Sequence, residues 1–376
     1  MRIAICIYDF VPAKLPLQPW LTLQMVAQGL AHRGHSVHIV SDTVEPARID
    51  GVESHTVTSL RGSNAAELRA LLGALRPDAV IFLPTPLNAA TASWLDGLEC
   101  RCIGFASYPF YTARELWTSV RCIGLADMTQ YLRHLLVPRP AWTRAMKRRF
   151  HALVAQSETT TARLATLLGG TPAALCIPPG IDLAQWQYRV PTDATDDSIR
   201  LLYLGAAIAI RGFDVALDAL VRVEDEKVRL RVLARGADEA SLAAIRAAVA
   251  KHDLAGRVEI EGGWIERMRL IEEIHAADAV LQPFVLVPSE LPVTAMEVIA
   301  CGTPVIGSAI DGLPSTIGPA GTVVTQGSAA ALADAITRFA QDASVRTAWR
   351  EGCQRQRAAM LDWDAVTDRW EAVLHG

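Results

Sequence analysis

Short apolar runs alternate with stretches of helical periodicity along nearly the whole chain, and this alternation limits the fold more than any other feature. Ile3–Tyr8 is a continuous apolar run, as a central parallel strand requires. HSVHIVSD (35–42), DAVIFLP (78–84) and RCIGFAS (101–107) follow, separated by helical stretches at 20–34, 64–75 and 87–97. LVAQSETTTARLATLLGG (153–170) reads as strand, serine cap and helix. The pattern restarts with IRLLYLG (199–205), KVRLRVLARG (227–236), RVEIEGG (257–263) and AADAVLQPF (276–284), with helices at 238–252 and 265–276. Strands separated by helices predict doubly wound parallel sheets in an α/β fold. A length of 376 residues predicts two such domains. Their expected limits are 1–182 and 199–360, with a linker at 183–198 that includes the polar PTDATDDS. Asp196 and Asp197 lie in that linker with no histidine nearby, so solvation is expected there rather than a metal.

One stretch is more specific. PFVLVPSELPVTAMEVIACGTPVIGSAIDGLPSTIG (283–318) reads as strand end, tight loop, helix, glycine stop and short strand. Pro292 suits the first turn of a helix, and Gly302 its end. The loop 288–293 therefore opens onto a helix N-terminus, whose free N–H groups favour an anion such as phosphate. Glu297 lies more than one turn inside that helix. It is either an acceptor for sugar or ribose hydroxyls or a plain surface carboxylate.

Charge is divided unevenly. Residues 1–190 hold 18 Lys and Arg against 13 Asp and Glu, and residues 191–376 hold 18 against 27. The basic excess concentrates in 114–150, where Arg114, Arg121, Arg133, Arg139, Arg144, Lys147, Arg148 and Arg149 interleave with Trp117, Leu132, Leu135, Leu136 and Trp142. Such a segment is either a layer on an anionic membrane or a helical layer with a solvated basic face. No nucleic-acid module accompanies the charges. The seven cysteines include no CxxC pair and read as free thiols in a reducing compartment. No run approaches the ~18 apolar residues of a spanning helix, and Arg2 is followed at once by a strand instead of a leader. A cytoplasmic protein is expected, peripheral on the inner membrane face if the basic segment binds lipid.

MEVIACGTPVIGSAIDGLPSTI (296–317) resembles the donor-site motif of the retaining glycosyltransferases with the GT-B fold, glycosyltransferase family four (group 1). CIPPGIDLAQW (176–186), with Gly180, Ile181 and Asp182, resembles that family's turn at the domain crossing. LGAAIAIRGFDVAL (204–217) resembles its strand, cation and helix segment. LDWDAVTDRWEAVL (361–374) resembles its closing helix, so 361–376 is expected to cross back onto the first domain. The chain departs from the pattern at several places, among them Pro179, which stands where the domain-crossing turn usually has asparagine. Ser289 stands where the first of two glutamates is usual, and Glu290 is one residue late. Either Glu290 substitutes or Ser289 takes the position. Ala206 replaces an arginine, Leu17-Gln18-Pro19 replaces a glycine pair, and ASYPFY (106–111) has no histidine.

The resemblance implies two Rossmann-like domains facing a cleft and a metal-independent hexosyltransferase that needs no cofactor. Its co-substrate would be a UDP- or GDP-linked sugar, and its acceptor a glycan or lipid-linked hydroxyl. Arg211 would stabilise the departing diphosphate through parallel hydrogen bonds, with Glu290 as its catalytic companion. Gly205, Arg211, Gly212, Trp264, Ser289, Glu290, Leu291, Pro292, Val293, Thr294 and Glu297 would bind the donor. Gln18, Ser107 and Tyr108 would face the acceptor, Ser107 and Tyr108 because they follow a strand's carboxyl end. Two other readings fit the departures: a nucleotide-sugar epimerase of similar build, and a non-catalytic partner that binds sugar nucleotide.

Overall fold

A computed structural model describes the chain apart from residues 59, 61–65, 190–197 and 288 and the side chains of 126 and 127. Half of the linker, with Asp196 and Asp197, the first two residues of the 64–75 helix, and Pro288 of the donor loop lie outside the described residues.

The first sheet has seven strands: β1 Arg2–Cys6, β2 Ser36–Ser41, β3 Val52–Thr56, β4 Ala79–Phe82, β5 Arg101–Phe105, β6 Ala152–Ala155 and β7 Ala173–Cys176. The second has six: β8 Ile199–Leu204, β9 Val228–Arg235, β10 Val258–Gly263, β11 Ala279–Gln282, β12 Val305–Ser308 and β13 Gly321–Val324. Their orders are β3-β2-β1-β4-β5-β6-β7 and β10-β9-β8-β11-β12-β13. Every pairing between them is parallel. These are two Rossmann-like doubly wound domains in a GT-B arrangement. In each, strand order reverses beside the first strand, between β1 and β4 and between β8 and β11. Loops on either side of such a reversal diverge and leave a crevice at the carboxyl ends.

The apolar runs are central strands because they are covered on both faces. Ile3, Ile5 and Ile39 pack on one side of the first sheet, and Ala4, Cys6 and Val40 on the other. The edge strand β3, VESHT, carries no such run and is half exposed, which is why no periodicity announced it. The stretch expected as one helix at 87–97 is a short helix, Pro86–Thr91, followed by a 3-10 turn, Ser93–Leu95. Helix Trp363–His375 packs on the first domain. Its buried Trp370 meets Phe105 edge-on at 5.4 Å, and Arg101 Nε donates to the Val373 carbonyl at 2.9 Å.

Helix Ala113–Leu132 holds the unexpected contact. It kinks at Gly124, which has φ +72°. Leu116, Ile123, Met128 and Tyr131 leave the first domain's core and pack into that of the second. The basic segment is therefore partly a domain-docking layer. Arg149, expected on its basic face, is buried, and its Nε donates to Asp96 at 2.9 Å. Arg148 also reaches Asp96, at 2.9 Å. Trp117 and Leu136 remain exposed, with Arg114, Arg121, Arg133, Arg139, Arg144 and Lys147.

Candidate functional site

The crevice of the second domain is framed by two loops. The loop after β8 carries Gly205 to Gly212, and the loop after β11 carries Pro283 to Pro292. They are stitched together, because Val285 and Leu286 both donate N–H to the Ile210 carbonyl, at 3.0 and 3.1 Å. Gly212 has φ +72°, and a Cβ there would stand 1.8 Å from the Pro283 carbonyl oxygen. Only glycine permits this approach. At Gly205 an added Cβ would fall 2.8 Å from the Arg211 guanidinium. Both glycines thus shape the place where Arg211 lies.

The Arg211 guanidinium is half buried, 5.9 Å over the Phe284 ring. Among the described residues it makes no ion pair or side-chain hydrogen bond. Burial lowers its proton affinity, and nearby Arg235 pushes in the same direction. Two like charges near each other under a low-dielectric roof repel unless an anion joins them. Tyr131, from the first domain, lies close enough to oppose that shift, and its buried hydroxyl has no partner among the described residues.

Helix Val293–Ala300 begins beside this loop pair. Pro292 is the residue before the helix, not within its first turn, and no side chain caps the free N–H groups. Val293 and Glu297 line an interdomain cleft of about 830 Å³. Arg235, Trp264 and Arg267 line it from the second domain, and Gln24 and Met25 from the first. Trp264 is 81% exposed and offers a free aromatic face. Burial pushes the Glu297 carboxyl up to about 7, against the pull of Arg235 and Arg267. Arg211 is not among the residues lining this cleft. Arg235, which does line it, is close enough to Arg211 for the two charges to repel.

Glu290 faces away from the cleft. It is wholly buried, and its carboxylate accepts the Gln156 N–H and the Ser157 hydroxyl, the latter at 3.0 Å. Its own N–H donates to the Ser107 carbonyl at 3.1 Å, and its carbonyl accepts Gly312 N–H at 3.0 Å. Burial raises its carboxyl to about 8, although the hydrogen bonds from Gln156 and Ser157 oppose the rise. Leu291 is buried next to it. Close by, the Tyr111 hydroxyl lies 2.9 Å from Asp311 Oδ2 and accepts Val287 N–H at 2.9 Å. Burial pushes Asp311 up to about 7. The Ser289 hydroxyl is buried with no partner among the described residues.

On the first domain, Gln18 is tied to Thr22 at 2.9 Å and to Gln156 at 3.4 Å, beside the seam. Ser107 contributes its carbonyl to that seam. Tyr108 packs on His134 with ring centroids 4.4 Å apart. Sequence reading passed over Arg235 and Arg267. Arg235 ends β9 and Arg267 opens the helix after Trp264, so each sits at a strand's carboxyl side, where a cation meets a ligand. That position was the available signal.

Two family models match the chain in succession. Residues 22–185 match Glycosyltransferase Family 4, and residues 198–342 match Glycosyl transferases group 1. A D-inositol 3-phosphate glycosyltransferase of Xylanimonas cellulosilytica is 33% identical over 185 residues, 44% of this chain and 42% of the relative. One from Actinosynnema mirum is 28% identical over 239 residues, 57% of this chain and 55% of the relative. The chain thus spans about half the length of the curated relatives it matches. Among solved structures, sucrose-phosphate synthase of Thermosynechococcus elongatus superposes with a TM-score of 0.78 at 18% identity, over 100% of this chain and 98% of that one. HepE of Anabaena, solved with UDP and glucose, gives 0.72 at 16% identity over 100% of both chains. At these identities the likeness speaks for the fold alone.

Proposed function

Since this chain belongs to the family 4, group 1 glycosyltransferases and has their GT-B build, we propose that it moves a sugar from a nucleoside-diphosphate sugar to an acceptor hydroxyl, with retention at the anomeric carbon. The observation that carries the reading is a pair of cations without a salt-bridge partner among the described residues, Arg211 and Arg235, together with the uncapped helix at Val293. When the sugar–phosphate bond breaks heterolytically, negative charge grows on the diphosphate. Fixed guanidinium groups and free N–H groups stabilise that charge more in the transition state than before it. No metal is needed for this step. The base would stack against Trp264, and Glu297 would accept ribose or sugar hydroxyls. The acceptor would enter from the first domain, past Gln24 and Met25 toward Ser107 and Tyr108.

A screen of UDP- and GDP-sugars, read as free nucleoside diphosphate with and without glycan and lipid-linked acceptors, tests the reading. Acceptor-dependent release is expected. Absence of any nucleotide binding at millimolar concentration overturns it.

The acceptor side has its own support. Arg114, Trp117 and Arg121 are exposed at spacings of three and four before the Gly124 kink, and Leu125 is exposed just beyond it. This stripe suits an anionic lipid surface. Reversing Arg114 and Arg121 to glutamate should release the protein from vesicles of phosphatidylglycerol. Unchanged co-sedimentation removes the lipid-surface reading and leaves a soluble glycan acceptor.

A further inference from the structure

The edge of the first sheet carries a second group of converging side chains, remote from the cleft. In register, His38 of β2 pairs with Glu53 of β3, and Val40 with His55. Alternate residues share a face, so Ser36, His38, Glu53 and His55 all project to one side. Their free atoms meet. His38 Nδ1 lies 3.1 Å from His55 Nε2 and 3.3 Å from Glu53 Oε2, and His55 Nε2 lies 4.0 Å from that same oxygen.

We propose that His38, Glu53 and His55 form a binding site for a divalent cation of the Zn²⁺ class. A tetrahedral ion bound at about 2.0–2.1 Å needs its ligand atoms roughly 3.3 Å apart. The three separations bracket that spacing. Two imidazoles and one carboxylate are a donor set for Zn²⁺, Co²⁺ or Ni²⁺, not for the all-oxygen preference of Ca²⁺ or Mg²⁺. The far nitrogen of His38, Nε2, lies 3.0 Å from Ser36 Oγ. Donation of Nε2–H to that oxygen leaves the Nδ1 lone pair facing the ion, the usual outer support of a ligating histidine. The Glu53 side chain is 73% exposed, so an ion arrives from solvent and water completes its shell.

A second trio, His35, Glu371 and His375, also converges. There the carboxylate is already held by Arg33 at 3.0 Å, a fixed cation that repels another. At the β2–β3 trio no Lys or Arg pairs with the carboxylate among the described residues, and the nearest fixed cation acting on it, Arg2, is felt at His38. A bound ion would add a cross-strand tie between the edge strand β3 and β2.

The test uses the full chain stripped with a chelator and titrated with Co²⁺. Saturable visible absorption of low-symmetry Co²⁺ is expected, displaced by Zn²⁺, with a higher unfolding temperature in Zn²⁺. His55→Ala should abolish the signal, and Ser36→Ala should weaken Co²⁺ binding about tenfold. Both positions are partly or fully exposed, and circular dichroism checks that the variants fold. Absence of saturable absorption overturns the proposal. So does a signal that survives in His55→Ala, or one that is lost only in His375→Ala.

Discussion

Glu290 and Glu297 stand seven residues apart on one loop and helix, and both carboxyls are raised by burial, to about 8 and about 7. Their surroundings differ. Glu290 meets neutral donors of the other domain, the Gln156 N–H and the Ser157 hydroxyl. Glu297 meets open cleft, with Arg235 and Arg267 as its nearest opposing charges. Desolvation alone therefore does not assign a role to a carboxylate. What decides is whether its oxygens are already satisfied. Those of Glu290 are, by groups that hold the two domains together. The Glu297 carboxylate has no hydrogen bond or ion pair among the described residues and is left to a ligand.

The comparison breaks most visibly at Arg211. If the cleft side carries ligand chemistry, Arg211→Ala should lower turnover by about 10²-fold, the usual loss for one transition-state donor. Stability should hold, because the change relieves repulsion from Arg235. Turnover equal to wild type would show that the diphosphate is gripped elsewhere. Glu290→Ala should do the reverse. It leaves the buried Gln156 N–H without an acceptor, which costs about 1–3 kcal/mol. Urea unfolding would register that loss, and nucleotide affinity should change little. A variant that unfolds like wild type but no longer binds nucleotide would move Glu290 into the donor site.

The pH dependence sharpens the seam side. A carboxyl at about 8 in the folded chain keeps its proton where the unfolded chain, at its ordinary 4.5, has lost it. The folded state then binds more protons, so stability falls as pH rises between those values and levels off above the upper one. Glu297 and Asp311, both at about 7, add slope of the same sign but finish earlier. Of these three, Glu290 alone still titrates above that point. Glu290→Gln should flatten the decline there. Urea midpoints measured across neutral to mildly alkaline pH in both proteins test this, and parallel profiles would refute it.

The two sides were unequally legible in the sequence. The donor loop was readable because its signals are local. A proline before a helix, a glycine after it and an apolar run on each side fix chain direction within a few residues. Gly212 was readable only by its place after Arg211 in the resembled segment, because its physical reason, the approach of the Pro283 carbonyl, comes from a loop some 70 residues later. The seam was not. One residue of offset placed Glu290 near the first-glutamate position, but spacing along a loop does not say which way a side chain turns. That depends on Gln156 and Ser157, more than 130 positions away. The same holds for helix Ala113–Leu132. Its mixed basic and aromatic pattern suits a lipid surface or a domain contact equally, and its Tyr131 satisfies the second by packing into a core that begins some 70 residues later. Edge strand β3 lacked a signal because half-exposed strands have no apolar alternation to read.

The smallest expected effect lies with Glu297. As an acceptor for a ribose or sugar hydroxyl, its carboxylate contributes one charge-assisted hydrogen bond, and Glu297→Gln should weaken nucleotide binding about tenfold, about 1.4 kcal/mol. The wild-type affinity should also rise with pH through about 7, because the ionised carboxylate is the stronger acceptor. The nucleotide's own phosphate titrates in a similar range, so the wild-type profile alone decides nothing. The difference between the two profiles does. Glutamine cannot ionise, so the variant should keep only the phosphate's share of the pH dependence. Calorimetric titration of both proteins at several pH values would measure that difference. If the two curves run parallel, Glu297 is a buried helix residue like its neighbours, and the contrast with Glu290 loses its ligand side.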